Sequence, residues 1–186
     1  ERNNYKDVLL EQRVKDALFS INRHLPEEAL EEAYRKIITF NSPVLVDNNK
    51  EFHKLLVEGI DVSFSKDGAI KTEKAYIIDF KNINKNDFLV VNQFTIVEKE
   101  ERRPDLIIFV NGIPLVVIEL KSASDENVGI EEAYNQIQTY KNDIPSLFNY
   151  NAFCILSDGI NAKAGTITSN ILITYTFNIF STSFLI

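Results

Sequence analysis

Residue types that build many common functional sites are scarce in this sequence. It has one cysteine, Cys154, which excludes a disulfide framework and a zinc site built from several thiolates. Its two histidines, His24 and His53, lie far apart with no helical or hairpin relation. This separation argues against a histidine-based metal site or a Ser-His-Asp triad. The sequence also contains no Gly-rich loop ending in Lys-Ser or Lys-Thr, so it offers no phosphate loop for ATP.

Basic residues are outnumbered by acidic ones. The 20 Lys and Arg against 27 Asp and Glu give a formal net charge of -7 at pH 7. This balance disfavours a broad, sequence-independent grip on nucleic acid, which needs a basic surface. Hydrophobic residues make up 45% of the 186 residues, enough for one domain with a proper core. The polar N-terminal segment does not resemble a signal peptide, and the composition favours a cytoplasmic, reducing location.

Methionine is absent, and the final 21 residues, 166–186, carry no charge. From the first observation we expect an N-terminally incomplete chain, cut from a longer protein. From the second we expect an atypical C-terminal tail over 166–186, following a single domain over 1–165. Ten of the 21 tail residues are Ser, Thr or Asn, so the alternating sequence Ile171–Phe177 predicts a strand rather than a membrane span.

The hydrophobic period divides the chain into a helical part and a strand-rich part. Apolar spacing near 3.6 predicts three helices in the first 60 residues, from Tyr5, after Pro26 and after Asn48 or Asn49. After Gly59 the period changes to two, and a later helix is predicted from about residue 126 to 142. The predicted strands are Ile60–Phe64, Lys74–Phe80, Phe88–Val97, Leu106–Val110, Leu115–Leu120 and Ala152–Leu156. The sequence therefore predicts an α/β fold, with a helical N-terminal lead-in and a mixed central β-sheet flanked by helices.

Charged side chains at the end of one predicted strand form the candidate site. Glu119 and Lys121 are two residues apart, so they project from one face, whereas Leu120 projects from the other. They end an apolar run, and burial of either charge alone would be expensive. Compensation can come from a plain ion pair between them, from a metal ion or from a substrate.

Asp105, at the start of the preceding strand, joins this pair only in one register. A two-residue Asn111-Gly112 loop would set Asp105 opposite Ile118, on the wrong face. A three-residue loop that includes Ile113 would set Asp105 opposite Glu119, so the hypothesis of a shared site predicts the odd-length loop. A two-residue turn with no bulge would exclude the shared site. Two carboxylates and the backbone carbonyl of Leu120 would then suit Mg²⁺, with Lys121 orienting water and stabilising charge on an attacked phosphate.

Several segments around these residues form a specific combined pattern. They are Asn86–Thr95, Arg103–Gly112, Pro114–Lys121 and Ser157–Gly159, with a Gln-x-x-x-Tyr motif at Gln136 and Tyr140. Together they resemble the N-terminal endonuclease domain of the restriction (motor) subunit, HsdR-type, of type I restriction enzymes, a branch of the PD-(D/E)xK nuclease superfamily. The resemblance extends over nearly all of residues 5–165.

This resemblance implies a restriction-endonuclease-like fold and a Mg²⁺-dependent active site. Asp105 and Glu119 would be the metal ligands, and Lys121 the catalytic lysine. Gln136 and Tyr140 would share a helix face near the active site or DNA. Arg103 contacts a DNA phosphate in one interpretation and balances nearby glutamates in another.

The implied partners are double-stranded DNA and the methylation and specificity subunits of a type I complex. ATP would be used only by motor domains that lie outside these residues. Two further interpretations stay open at this stage. The chain could be a related PD-(D/E)xK nuclease of repair or defence, or a catalytically silent interaction module that keeps the fold.

Overall fold

The protein was analysed as a computed structural model, which describes residues 2–121, 128–158, 161–170 and 175–178. The chain forms two compact units. The first comprises Glu1–Leu89 with Phe109–Ile113, and the second comprises Val90–Ile108 with Pro114–Ile186. None of the helices in the described residues has the length and apolar character that a membrane span requires.

Three helices open the first unit: α1 (Glu11–Ile21), α2 (Glu27–Ile38) and α3 (Leu45–Glu58). Each buries one apolar face, as the 3.6-residue period predicted. Helix α2 begins directly after Pro26 and has acidic residues in its first turn and basic ones in its last, which complements the helix dipole. The other two starts were wrong, because α1 begins six residues after Tyr5 and α3 begins at Leu45, ahead of Asn48.

A two-stranded hairpin follows in the same unit, formed by β1 (Ile60–Lys66) and β2 (Ala69–Ala75). Strand β1 alternates between buried and exposed residues through most of its length. Helix α2 covers part of its outer edge, where Glu32 accepts a hydrogen bond from the Ser63 amide at 3.0 Å. The predicted strand Lys74–Phe80 was wrong, since β2 already ends at Ala75. A single 3₁₀ turn, Ile83–Lys85, precedes the next strand.

The main sheet has six strands and is of mixed type. Its strands are β3 (Phe88–Asn92), β6 (Leu106–Val110), β7 (Ile113–Leu120), β8 (Phe153–Ser157), β9 (Asn161–Gly165) and β10 (Tyr175–Asn178), in the order β10-β9-β8-β7-β6-β3. Strand β8 runs parallel to β7 and antiparallel to β9. The predicted α/β class, with a mixed sheet and a helical lead-in, is confirmed.

Strand β7 is the centre of this sheet. Its first five residues are all buried, which confirms that an apolar run without alternation marks a strand covered on both faces. The connection from β7 to β8 contains α4 (Val128–Asp143) and the short helix α5 (Pro145–Phe148), and α4 packs against β8. The short strands β4 (Ile96–Val97) and β5 (Glu101–Arg102) pair with each other, so the single strand predicted over Phe88–Val97 is divided.

The loop between β6 and β7 has two residues, so the predicted three-residue loop is wrong. Asn111 and Gly112 have φ of 53° and 78°, the left-handed conformations of a tight hairpin turn that Asn-Gly favours. A side chain at Gly112 is excluded, because a Cβ there would lie 2.6 Å from the Leu10 carbonyl oxygen. Of the strand predicted over Ile171–Phe177, residues 175–177 belong to β10 and residues 171–174 lie outside the described residues.

Candidate active site

The end of β7 carries a buried acid beside a lysine. Glu119 is only 3% exposed, whereas its neighbour Leu120 is 45% exposed, as expected for successive residues of a strand. The Lys121 ammonium lies 3.0 Å from Glu119 Oε1. The prediction that Glu119 and Lys121 share a face is therefore confirmed. The Lys121 amide also donates to the carbonyl of Ser157 at 2.8 Å, which fixes the end of β7 against the end of β8.

Asp105 reaches this strand end in spite of the two-residue loop. Strand β6 begins at Leu106, so Asp105 stands just outside the regular ladder. Its Oδ2 accepts a hydrogen bond from the Leu120 amide at 2.9 Å. The odd-length loop was therefore not needed to bring the Asp105 carboxylate to the end of β7.

Helix α4 holds the buried acid from a second direction. The Tyr140 hydroxyl, on a ring that is 4% exposed, donates to Glu119 Oε2 at 3.2 Å. Gln136, one helical turn earlier, makes a side-chain hydrogen bond to Tyr140. The structure thus brings Gln136 and Tyr140 to the acidic residues, as one face of α4.

The electrostatics of Glu119 show a carboxylate that its neighbours compensate only in part. Burial raises the pKa of Glu119, and repulsion from Asp105 raises it further. The Lys121 ammonium and the Tyr140 hydroxyl act in the opposite direction, but the net shift of the pKa is upward. Burial and the charge of Glu119 also raise the pKa of Tyr140, so this hydroxyl keeps its proton and remains a donor.

Two arginines precede Asp105, and their surroundings differ. Arg102 forms an ion pair with Asp143 at 2.6 Å, which ties β5 to the last turn of α4. Arg103 is exposed. Of the two residues, Arg103 is therefore the more exposed.

Gln93 is a neighbour of Asp105 that sequence reasoning missed. It follows β3 directly, and its side-chain amide donates to Asp105 Oδ1 at 2.9 Å. The sequence showed Gln93 only as part of a matching segment and gave it no role. Its contact joins residues twelve positions apart through a left-handed backbone, at φ 51°, which no local pattern indicates.

The donor set at the end of β7 fits a hard divalent cation. Two carboxylates, Asp105 and Glu119, face a single ammonium from Lys121, so the cluster has an excess of negative charge. The raised pKa of Glu119 means that a further cation would stabilise its ionised form. Oxygen ligands of this kind suit Mg²⁺, which also keeps several waters. Within the described residues no group of three or more His, Cys, Asp or Glu side chains forms a metal site, so the fit rests on these two acids.

Fold and site together define the class. A mixed sheet with flanking helices, whose central strand ends in a Glu-x-Lys pair beside an aspartate, is a restriction-endonuclease-like α/β domain. The family model described as "Type I restriction enzyme R protein N terminus" matches residues 1–170. The chain belongs to this family.

Individual relatives agree with the family match. The MjaIXP protein of Methanocaldococcus jannaschii is 38% identical over 174 residues, which cover 91% of this chain and 17% of the relative. The type I restriction enzyme HindI endonuclease subunit of Haemophilus influenzae is 36% identical over 171 residues, 91% of this chain and 16% of that subunit. The EcoprrI endonuclease subunit of Escherichia coli is 34% identical over 169 residues, 87% of this chain and 50% of that subunit. The chain thus spans between about a sixth and a half of these relatives.

Proposed function

We propose that this chain provides the nuclease domain for metal-dependent endonucleolytic cleavage of double-stranded DNA. The observation that carries the proposal is the meeting of Asp105, Glu119 and Lys121 at the end of β7, with two carboxylates against one ammonium. Phosphodiester cleavage needs such a centre, because negative charge builds up on the attacked phosphate and must be offset. Family membership supports the proposal, since related subunits are named type I restriction endonuclease subunits.

In the proposed mechanism each residue has a distinct task. Asp105, Glu119 and the Leu120 carbonyl would hold Mg²⁺, which when bound lowers the pKa of water and neutralises phosphate charge. Lys121 would orient the attacking water and stabilise the charge that develops on the phosphate oxygens. Tyr140, steadied by Gln136, would keep Glu119 ionised and in place through its hydrogen bond. Arg103, exposed beside Asp105, would contact the DNA backbone.

We further propose that the domain acts inside an ATP-dependent type I restriction complex in the cytoplasm. Methylation and specificity subunits would be its partners, and motor domains outside these residues would use the ATP. Residues 1–165 would form the nuclease domain and 166–186 a distinct tail. The net charge of -7 supports delivery of DNA by partners, because the domain itself has little basic surface to hold it.

A Lys121→Ala variant in the assembled complex tests the chemistry. We expect at least a hundredfold loss of DNA cleavage, because one group that stabilises transition-state charge is removed. ATP hydrolysis by the same complex should continue, and a Lys54→Ala variant, changed at an exposed position of α3, serves as the matched control. Cleavage at the wild-type rate by Lys121→Ala would exclude this lysine from the chemistry.

A metal titration separates the proposal from the catalytically silent alternative. Mn²⁺ or Mg²⁺ binding that disappears in Asp105→Asn and Glu119→Gln supports a nuclease centre. Binding that is undetectable, or the same in all three proteins, favours an interaction module that retains only the fold.

A further inference from the structure

Gln93 adopts a backbone conformation that is unusual for a residue other than glycine. Its φ is 51°, in the left-handed region that residues other than glycine rarely occupy. Asn and Asp are the non-glycine residues most often found there, because their short side chains bond locally. The long side chain of Gln93 bonds instead to Asp105, which lies just before β6.

This conformation directs two donors of one residue at Asp105. The Gln93 amide donates to the Asp105 carbonyl oxygen at 2.9 Å, and its side-chain nitrogen donates to Asp105 Oδ1, also at 2.9 Å. The Leu120 amide donates to the other carboxylate oxygen, Oδ2. The bond to the carbonyl oxygen fixes the Asp105 backbone, and the bonds to Oδ1 and Oδ2 fix the plane of its carboxylate.

We infer that Gln93 is a positioning residue, which holds the Asp105 carboxylate ready to receive a divalent cation. The inference rests on the proposed function, because it gives Asp105 the task of a metal ligand. Each carboxylate oxygen has two lone pairs, so one hydrogen bond on Oδ1 and one on Oδ2 leave acceptor capacity for a cation. A neutral amide is suited to this task, because a lysine or arginine at position 93 would repel the metal.

If Gln93 served only to complete a turn, a different residue would suit this position. A turn at φ 51° is best served by glycine, which adopts positive φ without strain. If Gln93 only completed the turn after β3, glycine would keep function unchanged and improve stability. If Gln93 positions Asp105, glycine would preserve the turn and still weaken metal binding.

Calorimetric Mn²⁺ titration of the 186-residue chain separates these roles, with thermal unfolding followed in parallel. In Gln93→Gly we expect a melting temperature at or above that of wild type and an Mn²⁺ affinity about tenfold weaker, the usual effect of losing a residue that orients a metal ligand. Gln93→Met keeps the side-chain length without the donor and should show the same loss of affinity. Asp67→Gly, at φ 56° in the β1–β2 turn, is the matched control and should leave the affinity unchanged.

Asp105→Asn, titrated alongside, separates a failure of the positioning role from a failure of the proposed function. Loss of Mn²⁺ binding in Asp105→Asn with wild-type affinity in both Gln93 variants would overturn the positioning role and leave the proposed function standing. Equal binding by wild type and Asp105→Asn, or no binding by wild type, would overturn both.

Discussion

Two polar clusters among the described residues differ in how their charges are balanced. The turn network, in the first unit, centres on the fully buried Asn111, whose amide nitrogen donates to the Ile77 carbonyl at 2.7 Å and to Asn86 Oδ1 at 2.9 Å. Its amide oxygen accepts from the Asp87 amide at 2.7 Å, and the Asp87 carboxylate pairs with Arg13. Buried groups in this network are neutral, and its charges are balanced.

The acidic cluster in the second unit differs in both respects, because it has a buried charged group and its charges are not balanced. Asp105, Glu119, Lys121 and Tyr140 bring two negative charges and one positive charge together, and Glu119 is a buried charged group. The raised pKa of Glu119 shows that its ionised form costs stability in the folded chain. A cluster that only stabilised the fold would resemble the turn network. The contrast supports the proposal that the acidic cluster holds a cation.

The largest expected effect on folding lies in the turn network. An Asn111→Ala change should lower the free energy of unfolding by about 3 kcal/mol, because it leaves the Ile77 carbonyl and the Asp87 amide without Asn111 and places alanine at positive φ. Urea denaturation measures this loss, and Asn92→Ala, at an exposed position of β3, should change stability by less than about 0.5 kcal/mol. A loss below about 1 kcal/mol in Asn111→Ala would remove the contrast between the clusters.

A smaller effect is expected in the acidic cluster. Tyr140→Phe removes the hydroxyl that donates to Glu119 and should cost about 1 kcal/mol at neutral pH. The pKa of Glu119 should rise further in this variant, because the Tyr140 hydrogen bond lowers it. The cost belongs to the ionised carboxylate, so it should be present above the raised pKa and fade as the pH falls through it. Urea denaturation at several pH values tests this.

Tyr134→Phe, on the same helix, provides the control for that experiment. It removes a hydroxyl from α4 without touching the Glu119 hydrogen bond. The free energy of unfolding of Tyr134→Phe should equal that of wild type at every pH. A Tyr140→Phe chain that also follows wild type would show that Glu119 does not depend on this hydroxyl.

The sequence indicated some parts of this site better than others. The common face of Glu119 and Lys121 followed from the period of two in a strand, and this is a local property. The proximity of Asp105 was expected from a three-residue loop, whereas the loop has two residues and the observed connection is a hydrogen bond from the Leu120 amide to the Asp105 carboxylate. Gln93 was missed because its contact with Asp105 depends on a backbone angle and joins residues twelve positions apart.

The fold shows the same division between local and long-range information. The mixed sheet and the helical lead-in were predicted, because hydrophobic periods of 3.6 and two dominate long segments. The start of α1 was not, since Leu10 is fixed by a hydrogen bond from its amide to the carbonyl of Gly112, about a hundred residues later. Contacts of this length leave no signature in the neighbouring sequence.

The most direct test of the acidic cluster is thermal unfolding of wild type and Glu119→Gln at neutral pH, with and without Mn²⁺. Without metal, the variant should melt at or above the wild-type temperature, because it lacks the buried negative charge. With Mn²⁺ at a hundred times its dissociation constant, wild type should gain about 2.7 kcal/mol and the variant almost nothing, so that the order reverses. Equal gains in both proteins, or a metal-free variant that melts well below wild type, would contradict the account of Glu119 as a metal ligand.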